Sequence, residues 1–550
     1  MRHLTLAFFC AVAPLWAQAQ KDSLANLIQA NNRNAALERI GSGADVNEPQ
    51  PDGTRPIHWA VYRLDYDVVD ALIARKATVD VANEFGSTPL GEAAGLADAR
   101  LVKALLNAGA KPDLANQDGE TPLMLAIKTG EMPVVDMLVK AGANVNARES
   151  FHNQTALMWA ATAPRNGGEM VKLLLSKDAD VRPRSLYNDW DDQFTSEPRS
   201  LYRPTGGFTA LLYAARDGCY DCVVAMLDAG ADVNVPTPEG ITPLMLAIDN
   251  DHNDVAKLLM DRGADPNVWD WWGRTALYIA VDRKADISRG RVGRAREATP
   301  VAVRTSGPAP VSGISIIEAL LSKGVDVNSQ LNMRRPTRGG RIGRYAEYFQ
   351  NTGCTPLMRA VIGADVEVVR ALLDKGASPD IAAMGLTPLL IATGVATVGG
   401  DAGTGASASP GGAPNLALID VLVKHGADVN AQVAGTKTYS LRIFRYPPSR
   451  PEGMSALHAA ARSGRTDLVR YLLEKGANPE LVDADGHKPI DLVGTGGRGR
   501  PAPAAATGSA TADAAATQAT TIIPGNGGRG GANPRAAEIR ALLQNAASNK

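Results

Sequence analysis

The stretch NQDGETPLMLAIKTGEMPVVDMLVKAGANVN, from Asn116 to Asn146, contains the pattern that decides the fold. Asp118 and Gly119 predict a tight turn at its start. Thr121 followed by Pro122 predicts the beginning of a helix, because threonine caps a helix and proline loses nothing at the first helical position. A short first helix is therefore expected up to the glycine at position 130.

A second helix is expected directly after this turn. Val135, Leu138 and Val139 fall on one helical face, and Gly142 supplies a residue suited to the left-handed conformation that ends a helix. The chain then extends towards the next turn. Such a pair of helices cannot bury its apolar face alone, so it must stack on neighbours of the same kind.

The tetrad TPLM at Thr121 recurs along the chain. Seven of the ten intervals between successive tetrads are 32 to 34 residues long, and the other three contain insertions. The tetrads are RPIH at Arg55, TPLG at Thr88, TPLM at Thr121, TALM at Thr155, TALL at Thr209, TPLM at Thr242, TALY at Thr275, TPLM at Thr355, TPLL at Thr387, SALH at Ser455 and KPID at Lys488.

These units resemble ankyrin repeats, because D-x-x-G-x-T-P-L-x-x-A-A and L-L-x-x-G-A-D-V-N are nearly intact in several of them. The resemblance covers Leu24 to Asn545. It implies an all-α fold: a solenoid of about 12 helix-turn-helix units joined by β-hairpin-like fingers. Residues 20–51, which lack a tetrad, are expected to form the N-terminal capping repeat, and residues 534–550 the C-terminal capping helix and tail.

The repeats are interrupted by two classes of insertion. Uninterrupted repeats are expected at 52–181, 207–283, 353–393 and 453–493, and second helices of interrupted repeats at 314–328 and 415–430. Insertions between the two helices of a unit lie at 163–168, 284–313, 394–414 and 494–533. Insertions on the finger side lie at 182–206, 329–352 and 431–452.

The two classes differ in composition. The insertions between helices contain no aromatic residue and are rich in Gly, Ala, Pro and Thr, which is typical of flexible tethers. The finger-side insertions combine aromatic residues with arginine, as interface hot spots do. An alternative interpretation is that they fold back over the stack. The partner-binding candidates among them are Arg335, Arg338, Arg341, Arg344, Tyr345, Phe349, Tyr439, Phe444 and Tyr446.

A tryptophan-rich finger, VWDWWGRTAL, runs from Val268 to Leu277. In the repeat register Trp271 and Trp272 occupy the finger tip, where the resemblance implies variable contact positions. Both, together with Arg274, are candidate partner-binding residues. The alternative is that Trp269 packs under the neighbouring finger and draws the other rings inward.

The N-terminus has the pattern of a secretory signal. Met1, Arg2 and His3 precede an apolar run and an Ala-x-Ala site, which predicts that residues 1–19 are a signal peptide removed near Ala19. The apolar run is too short for a membrane-spanning anchor. The sequence thus predicts an exported protein, periplasmic or secreted.

Composition excludes several classes of protein. The 550 residues are 45% hydrophobic and 21% charged with a net charge of −1, which fits neither a disordered chain nor a polytopic membrane protein. The charge balance also lacks the basic excess of a nucleic-acid binder. Four cysteines are too few for a disulfide scaffold, but Cys219 and Cys222 are spaced for a local disulfide, the alternative being a redox-active pair.

The sequence predicts no catalytic, cofactor or metal site. Hydrolase, metalloprotease and phosphate-binding motifs are absent, and His58 and His458 hold the fourth tetrad position, where the resemblance implies bonds to neighbouring backbone. The acidic residues at 189, 191 and 192 are interpreted as solvated rather than as a cation site.

These patterns together predict a non-enzymatic, exported scaffold. It is expected to bind a protein partner through its fingers and concave face. The alternative is an envelope glycan or a small ligand held by the aromatic loops.

Overall fold

The fold is described from a computed structural model. It covers residues 23–188, 205–288, 310–332, 353–383, 385–395, 415–434, 452–494 and 534–548. In these ranges helices alternate as first and second members of twelve successive pairs. The expected ankyrin architecture and its number of units are therefore confirmed.

Apart from α15, which has 13 residues, the first helices of the pairs are short. They are α1 (Leu24–Gln29), α3 (Pro56–Tyr62), α5 (Pro89–Gly95), α7 (Pro122–Thr129), α9 (Ala156–Ala161), α11 (Ala210–Asp217), α13 (Pro243–Asp249), α15 (Ala276–Ser288), α17 (Pro356–Gly363), α19 (Pro388–Ala392), α21 (Ala456–Arg462) and the 3₁₀ helix η1 (Pro489–Leu492).

The second helices mostly have nine residues. They are α2 (Arg33–Gly41), α4 (Tyr66–Ala74), α6 (Ala99–Asn107), α8 (Met132–Lys140), α10 (Gly167–Leu175), α12 (Tyr220–Asp228), α14 (Asn253–Asp261), α16 (Gly313–Ser322), α18 (Val366–Asp374), α20 (Leu416–Lys424), α22 (Thr466–Glu474) and α23 (Pro534–Ser548).

Local sequence explains where the first helices begin. Thr121 caps α7 by accepting a hydrogen bond from the backbone N–H of Met124, and Pro122 occupies the first helical position. The same threonine cap recurs in α5, α9, α11, α13, α17 and α19. Each cap satisfies one of the N–H groups that a helix start leaves without a partner.

The core lies between the paired helices and between neighbouring pairs. Leu123 and Ile127 of α7 and Val135 and Leu138 of α8 are each 0% exposed. Gly142 ends α8 in the left-handed region with φ 87°. The apolar face expected for α8 is therefore the buried one, and burial of each such side chain contributes about 1.5–3 kcal/mol.

The chain divides into two compact units. One contains Met1–Arg283 and Gly293–Val325, and the other contains Lys284–Val292 and Asp326–Lys550. In the second unit α23 packs on α22 and η1 and buries Ile539 and Leu543. It therefore occupies the place of a second helix after η1.

The fingers are built mainly from turns. Strands β1 (Tyr187–Asn188) and β2 (Thr205–Gly206) pair antiparallel, Tyr187 opposite Gly206, and form the base of the finger-side insertion at 182–206. Other fingers contain single β-bridges, such as Trp269 with Thr275.

One insertion begins later than the sequence predicts. α15 continues through residues 284–288, which were expected to belong to a tether. Ala285 is buried, and Lys284 places its ammonium nitrogen 2.6 Å from a carboxylate oxygen of Asp365. This packing and ion pair extend the helix beyond the point at which repeat length alone would end it.

Candidate functional site

The fingers of the first unit form a continuous edge. Tight turns such as Asp118-Gly119, where Gly119 has φ 76°, bring the backbone of each finger close to the next. Backbone hydrogen bonds join neighbours: Glu84 N–H to the Asp52 carbonyl (2.9 Å), Ser150 to Asp118 (2.7 Å), Leu186 to His152 (2.6 Å) and Trp271 to Glu239 (2.8 Å).

Arg184 connects the β1/β2 finger to the one that follows. Its guanidinium donates hydrogen bonds to the carbonyl oxygens of Gly207, at 2.9 Å, and Pro236, at 2.8 Å. These two hydrogen bonds connect the finger that contains the insertion at 182–206 to the next finger in the row.

Large apolar side chains project from this row. Of the ten such side chains that are exposed in the described ranges, seven lie in fingers. Six belong to the first unit and define the finger edge: Phe85 (68% exposed), Phe151 (70%), Leu186 (57%), Tyr187 (51%), Trp269 (62%) and Trp271 (43%).

The tryptophan finger corrects one predicted contact residue. Trp271 is exposed as expected, but Trp272 is only 4% exposed and belongs to the core. Trp269, which the alternative interpretation placed under the neighbouring finger, is the most exposed of the three. The two exposed rings are therefore Trp269 and Trp271, and Trp272 cannot act as a contact residue without unfolding the finger.

Arg274 is also buried, which corrects a second assignment. Its Nε lies 2.6 Å from a carboxylate oxygen of Asp270, and its guanidinium carbon lies 5.0 Å from the ring centre of Trp272. Asp270 further accepts the N–H of Trp272 at 3.0 Å and that of Arg274 at 2.8 Å. The arginine holds the turn of the finger and does not point towards a partner.

The electrostatics of this pair follow from its burial. Burial alone would lower the pKa of Arg274, but the carboxylates of Asp270 and Asp249 raise it above the usual value. Burial raises the pKa of Asp270, while the contact with Arg274 acts in the opposite direction. A buried pair of this kind is costly to break, because removal of one partner leaves the other charge uncompensated.

The remaining predicted contact residues lie outside the described ranges. They are Arg335, Arg338, Arg341, Arg344, Tyr345 and Phe349 in the second finger-side insertion, and Tyr439, Phe444 and Tyr446 in the third. Their role stays a prediction.

Sequence reasoning missed Phe85 and Phe151. Phe85 immediately precedes the left-handed Gly86 and lies at the same tip position that drew attention to the tryptophans. Both residues could have been identified from the sequence, because each is an apolar residue at the turn of a finger.

Cys219 and Cys222 form the local disulfide that their spacing predicts. The structure joins them by a disulfide with their Cα atoms 5.2 Å apart, at the start of α12. Cys222 is completely buried, and Cys354 is a buried cysteine outside this disulfide.

The two tetrad histidines bond to backbone, as the resemblance implies. Nδ1 of His458 accepts the N–H of Ser455 at 3.1 Å, and its Nε2 lies 3.0 Å from the carbonyl oxygen of His487. His58 makes the equivalent bonds to Arg55 and Ser87. Both imidazoles connect a first helix to the following finger.

One group of potential metal ligands occurs in the described ranges, at Asp483, Asp485 and His487. Asp483 is buried and accepts the backbone N–H groups of Asp485 and His487 at 3.0 and 2.8 Å. Its carboxylate is therefore engaged in shaping a finger turn. Among the described helices, none combines the length and apolarity needed to cross a bilayer.

Curated relatives match only part of this chain. It is 26% identical over 182 residues to alpha-latrocrustotoxin-Lt1a of Latrodectus tredecimguttatus, covering 33% of this chain and 9% of the toxin. It is 30% and 32% identical to protein phosphatase 1 regulatory subunit 27 of Homo sapiens and Mus musculus, covering 14% of this chain and 40% of each relative. The chain thus spans well under half of each of these relatives.

A solved structure, the human ASB11 ankyrin repeat domain, aligns with 44% of this chain and 98% of its own at 24% identity and a TM-score of 0.35. The family model described as ankyrin repeats (3 copies) matches residues 24–114, 92–185 and 211–289. The single ankyrin repeat model matches 352–383 and 452–484. Ankyrin repeats are typically non-enzymatic modules for protein-protein interaction, and this chain belongs to the ankyrin-repeat family.

Proposed function

We propose that this protein is an exported scaffold that binds a protein partner through its finger edge. The observation that carries the proposal is the concentration of exposed apolar side chains on the fingers. A patch of this kind on a folded protein usually marks a surface that another molecule covers.

The anchors of the finger edge have the properties of hot-spot residues. Trp269, Trp271 and Phe151 offer large, stiff side chains, and each is mounted on a turn fixed by backbone hydrogen bonds. Because the turns are already rigid, less conformational entropy is lost when a partner binds. The buried Asp270–Arg274 pair contributes by holding the tryptophan turn in one conformation.

The adjoining face of the first helices extends this surface. Lys128 places its ammonium 5.6 Å from the ring centre of Trp159, and Arg216 places its guanidinium 4.9 Å from that of Tyr213. Aromatic rings paired with cations are common in protein interfaces. In an ankyrin stack this is the concave face, and we expect the partner to reach from the finger edge onto it.

A protein partner accounts for the anchors better than a glycan does. Sugars stack on aromatic rings, but Leu186, 57% exposed in the middle of the edge, offers no ring. A relative that matches this chain over one of its segments is named as a regulatory subunit of a protein phosphatase, and that name implies assembly with a protein. Glycan binding remains a separate outcome of the test.

The experiment is site-specific photo-crosslinking in the producing cell. A photoreactive phenylalanine analogue at Phe151 or Trp271 should yield a defined protein adduct, while the same analogue at Lys103, exposed on α6, should not. With the identified partner, Trp269→Ala with Trp271→Ala should weaken binding by about 2 kcal/mol or more, as hot-spot truncations do, and leave the melting temperature nearly unchanged.

Trp272→Ala is the matched control, because Trp272 is a buried neighbour of both rings. It should lower the stability of the protein by about 3–5 kcal/mol. Absence of protein adducts at both finger positions, together with retention of the protein on envelope polysaccharide, would contradict the proposal and favour the glycan alternative.

A further inference from the structure

The second helices begin in different ways, and those that lack a side-chain capping hydrogen bond include α2, α8, α10, α14 and α22. In α4, α6, α18 and α20 the residue before the helix accepts a hydrogen bond from the N–H of the third helical residue. These pairs are Asp65 with Val68 (3.3 Å), Asp98 with Leu101 (2.8 Å), Asp365 with Val368 (3.2 Å) and Asn415 with Leu418 (3.3 Å).

In α12 the same two positions are occupied by Cys219 and Cys222. Cys219 precedes the helix and makes no capping hydrogen bond with its side chain, and Cys222 is the third helical residue. Their disulfide therefore connects the two positions that a carboxylate or an amide connects in α4, α6, α18 and α20. In α12 a covalent link lies where those four helices have a capping hydrogen bond.

The disulfide also lies in a close contact between neighbouring repeats. α10 packs on α12, and a Cβ atom added to Gly167 of α10 would lie 3.5 Å from the sulfur of Cys222 and 3.8 Å from that of Cys219. A Cβ on Gly168 would lie 2.7 Å from Cβ of Asp221. The start of α10 thus fits against the first turn of α12 only while that turn keeps its shape.

We propose that the Cys219–Cys222 disulfide is a redox-reversible cap of α12. In the oxidised protein it fixes the first turn of the helix. In the reduced protein this turn has neither a covalent link nor a good acceptor, because a thiol accepts hydrogen bonds weakly. Opening the bond therefore loosens the start of α12 and its contact with α10. The inference is independent of partner binding at the finger edge.

The chemistry is thiol-disulfide exchange with an external thiol. Its thiolate attacks the sulfur of Cys219, which is partly exposed, whereas Cys222 is buried. A mixed disulfide forms on Cys219, and Cys222 leaves as a thiolate that takes up a proton. A second external thiol releases Cys219 as a thiol and leaves with the first as a disulfide. Reoxidation needs a disulfide oxidant, which gains the two electrons.

The test is amide hydrogen exchange of the full chain before and after treatment with a dithiol. Exchange in the first turn of α12 should accelerate about five- to tenfold on reduction, the factor expected for loss of one capping interaction. Exchange in the first turn of α6, which is capped by Asp98, should not change.

The matched control is the double variant Cys219→Asp and Cys222→Val, which installs the cap and the apolar residue found in α4 and α18. It should fold with exchange rates like those of the oxidised protein and should not respond to the dithiol. Because it retains Cys354, it also reports any effect of that thiol.

Three results would overturn the proposal. They are alkylation of Cys219 and Cys222 in protein that has never been reduced, equal exchange in α12 of the oxidised and reduced protein, and a dithiol response in the double variant as large as in the unmodified chain. Peptide mapping by mass spectrometry after alkylation decides the first of these.

Discussion

His458 bonds on both sides as a neutral imidazole. Nδ1 accepts the N–H of Ser455, and Nε2 donates its hydrogen to the carbonyl of His487 in the next finger. Burial lowers the pKa of His458 below its usual value. Protonation would turn Nδ1 from an acceptor into a donor and place a charge in the core.

The stability of the second unit should therefore fall in mild acid. The unfolded chain takes up this proton at the ordinary histidine pKa of about 6.5, and the folded chain does so only at lower pH. The stabilising effect of the neutral ring is thus complete above pH 6.5 and is lost as the pH falls through the lowered pKa. Thermal unfolding between pH 7.5 and pH 5 measures it.

His458→Met provides the control, because methionine occupies the same tetrad position at Met124 and Met358. The variant should lose stability less steeply with falling pH than the unmodified chain. His58 has a pKa lowered by burial in the same way, so His58→Met should flatten the profile of the first unit. Parallel pH profiles for variants and parent would contradict this prediction.

Sequence position identified the tryptophan finger but not the direction of each ring. Trp271 and Trp272 are adjacent in a turn, where neighbouring side chains leave on different sides. The buried carboxylate of Asp270 accepts the N–H of Trp272 and turns its ring inwards beneath Arg274. Asp270 is the first residue of the D-x-x-G-x-T pattern, but Arg274 occupies one of its variable positions. The repeat pattern therefore did not show that Trp272 and Arg274 would be buried while Trp271 is exposed.

At the scale of elements, the starts of the first helices were predictable and one helix end was not. Threonine caps and proline at the first helical position act within a few residues, so the sequence contains the whole signal. The end of α15 depends instead on Lys284 meeting Asp365, which lies far along the chain. Contacts of this kind extend an element beyond what local preference predicts.

The C-terminal helix α23 should stay docked after proteolysis of the segment that precedes it. Ile539 is 0% and Leu543 1% exposed, one helical turn apart, and Arg540 donates to the carbonyl oxygen of Val493 at 3.2 Å. The segment 494–533 is rich in Gly, Ala, Pro and Thr and should be cut first. The fragments should then co-elute in size-exclusion chromatography.

Two variants test the docking. Ile539→Ala should destabilise the second unit by about 2–5 kcal/mol, because it empties a fully buried site. Glu538→Gln removes an exposed ion pair with Arg470 (2.9 Å) and should change stability by less than about 1 kcal/mol. Separation of the helix on cleavage, or equal effects of the two variants, would show that α23 is not a cap.

At the scale of the whole molecule, the fold was predictable because one short unit is repeated. Each pair of helices exposes an apolar face that only another pair can cover, so the tetrads specify a stack without any long-range contact being known. The sequence predicted where the finger edge lies but not which of its residues are exposed. Its position follows from the repeat, whereas its exposed residues depend on how each individual turn is built.

Location and redox state should change together in this protein. We expect chain recovered from the extracytoplasmic fraction to begin at Gln20, because residues 1–19 have the charged, apolar and Ala-x-Ala segments of a signal peptide. Deletion of residues 2–19 should retain the chain in the cytoplasm, where thiol reductants keep cysteines reduced. N-terminal sequencing with alkylation of Cys219 and Cys222 measures both properties in one sample. An unprocessed chain beginning at Met1 in the cytoplasm, with both cysteines alkylated, would contradict export. The finger edge would then be available to cytoplasmic partners, while α12 would rest in its uncapped state.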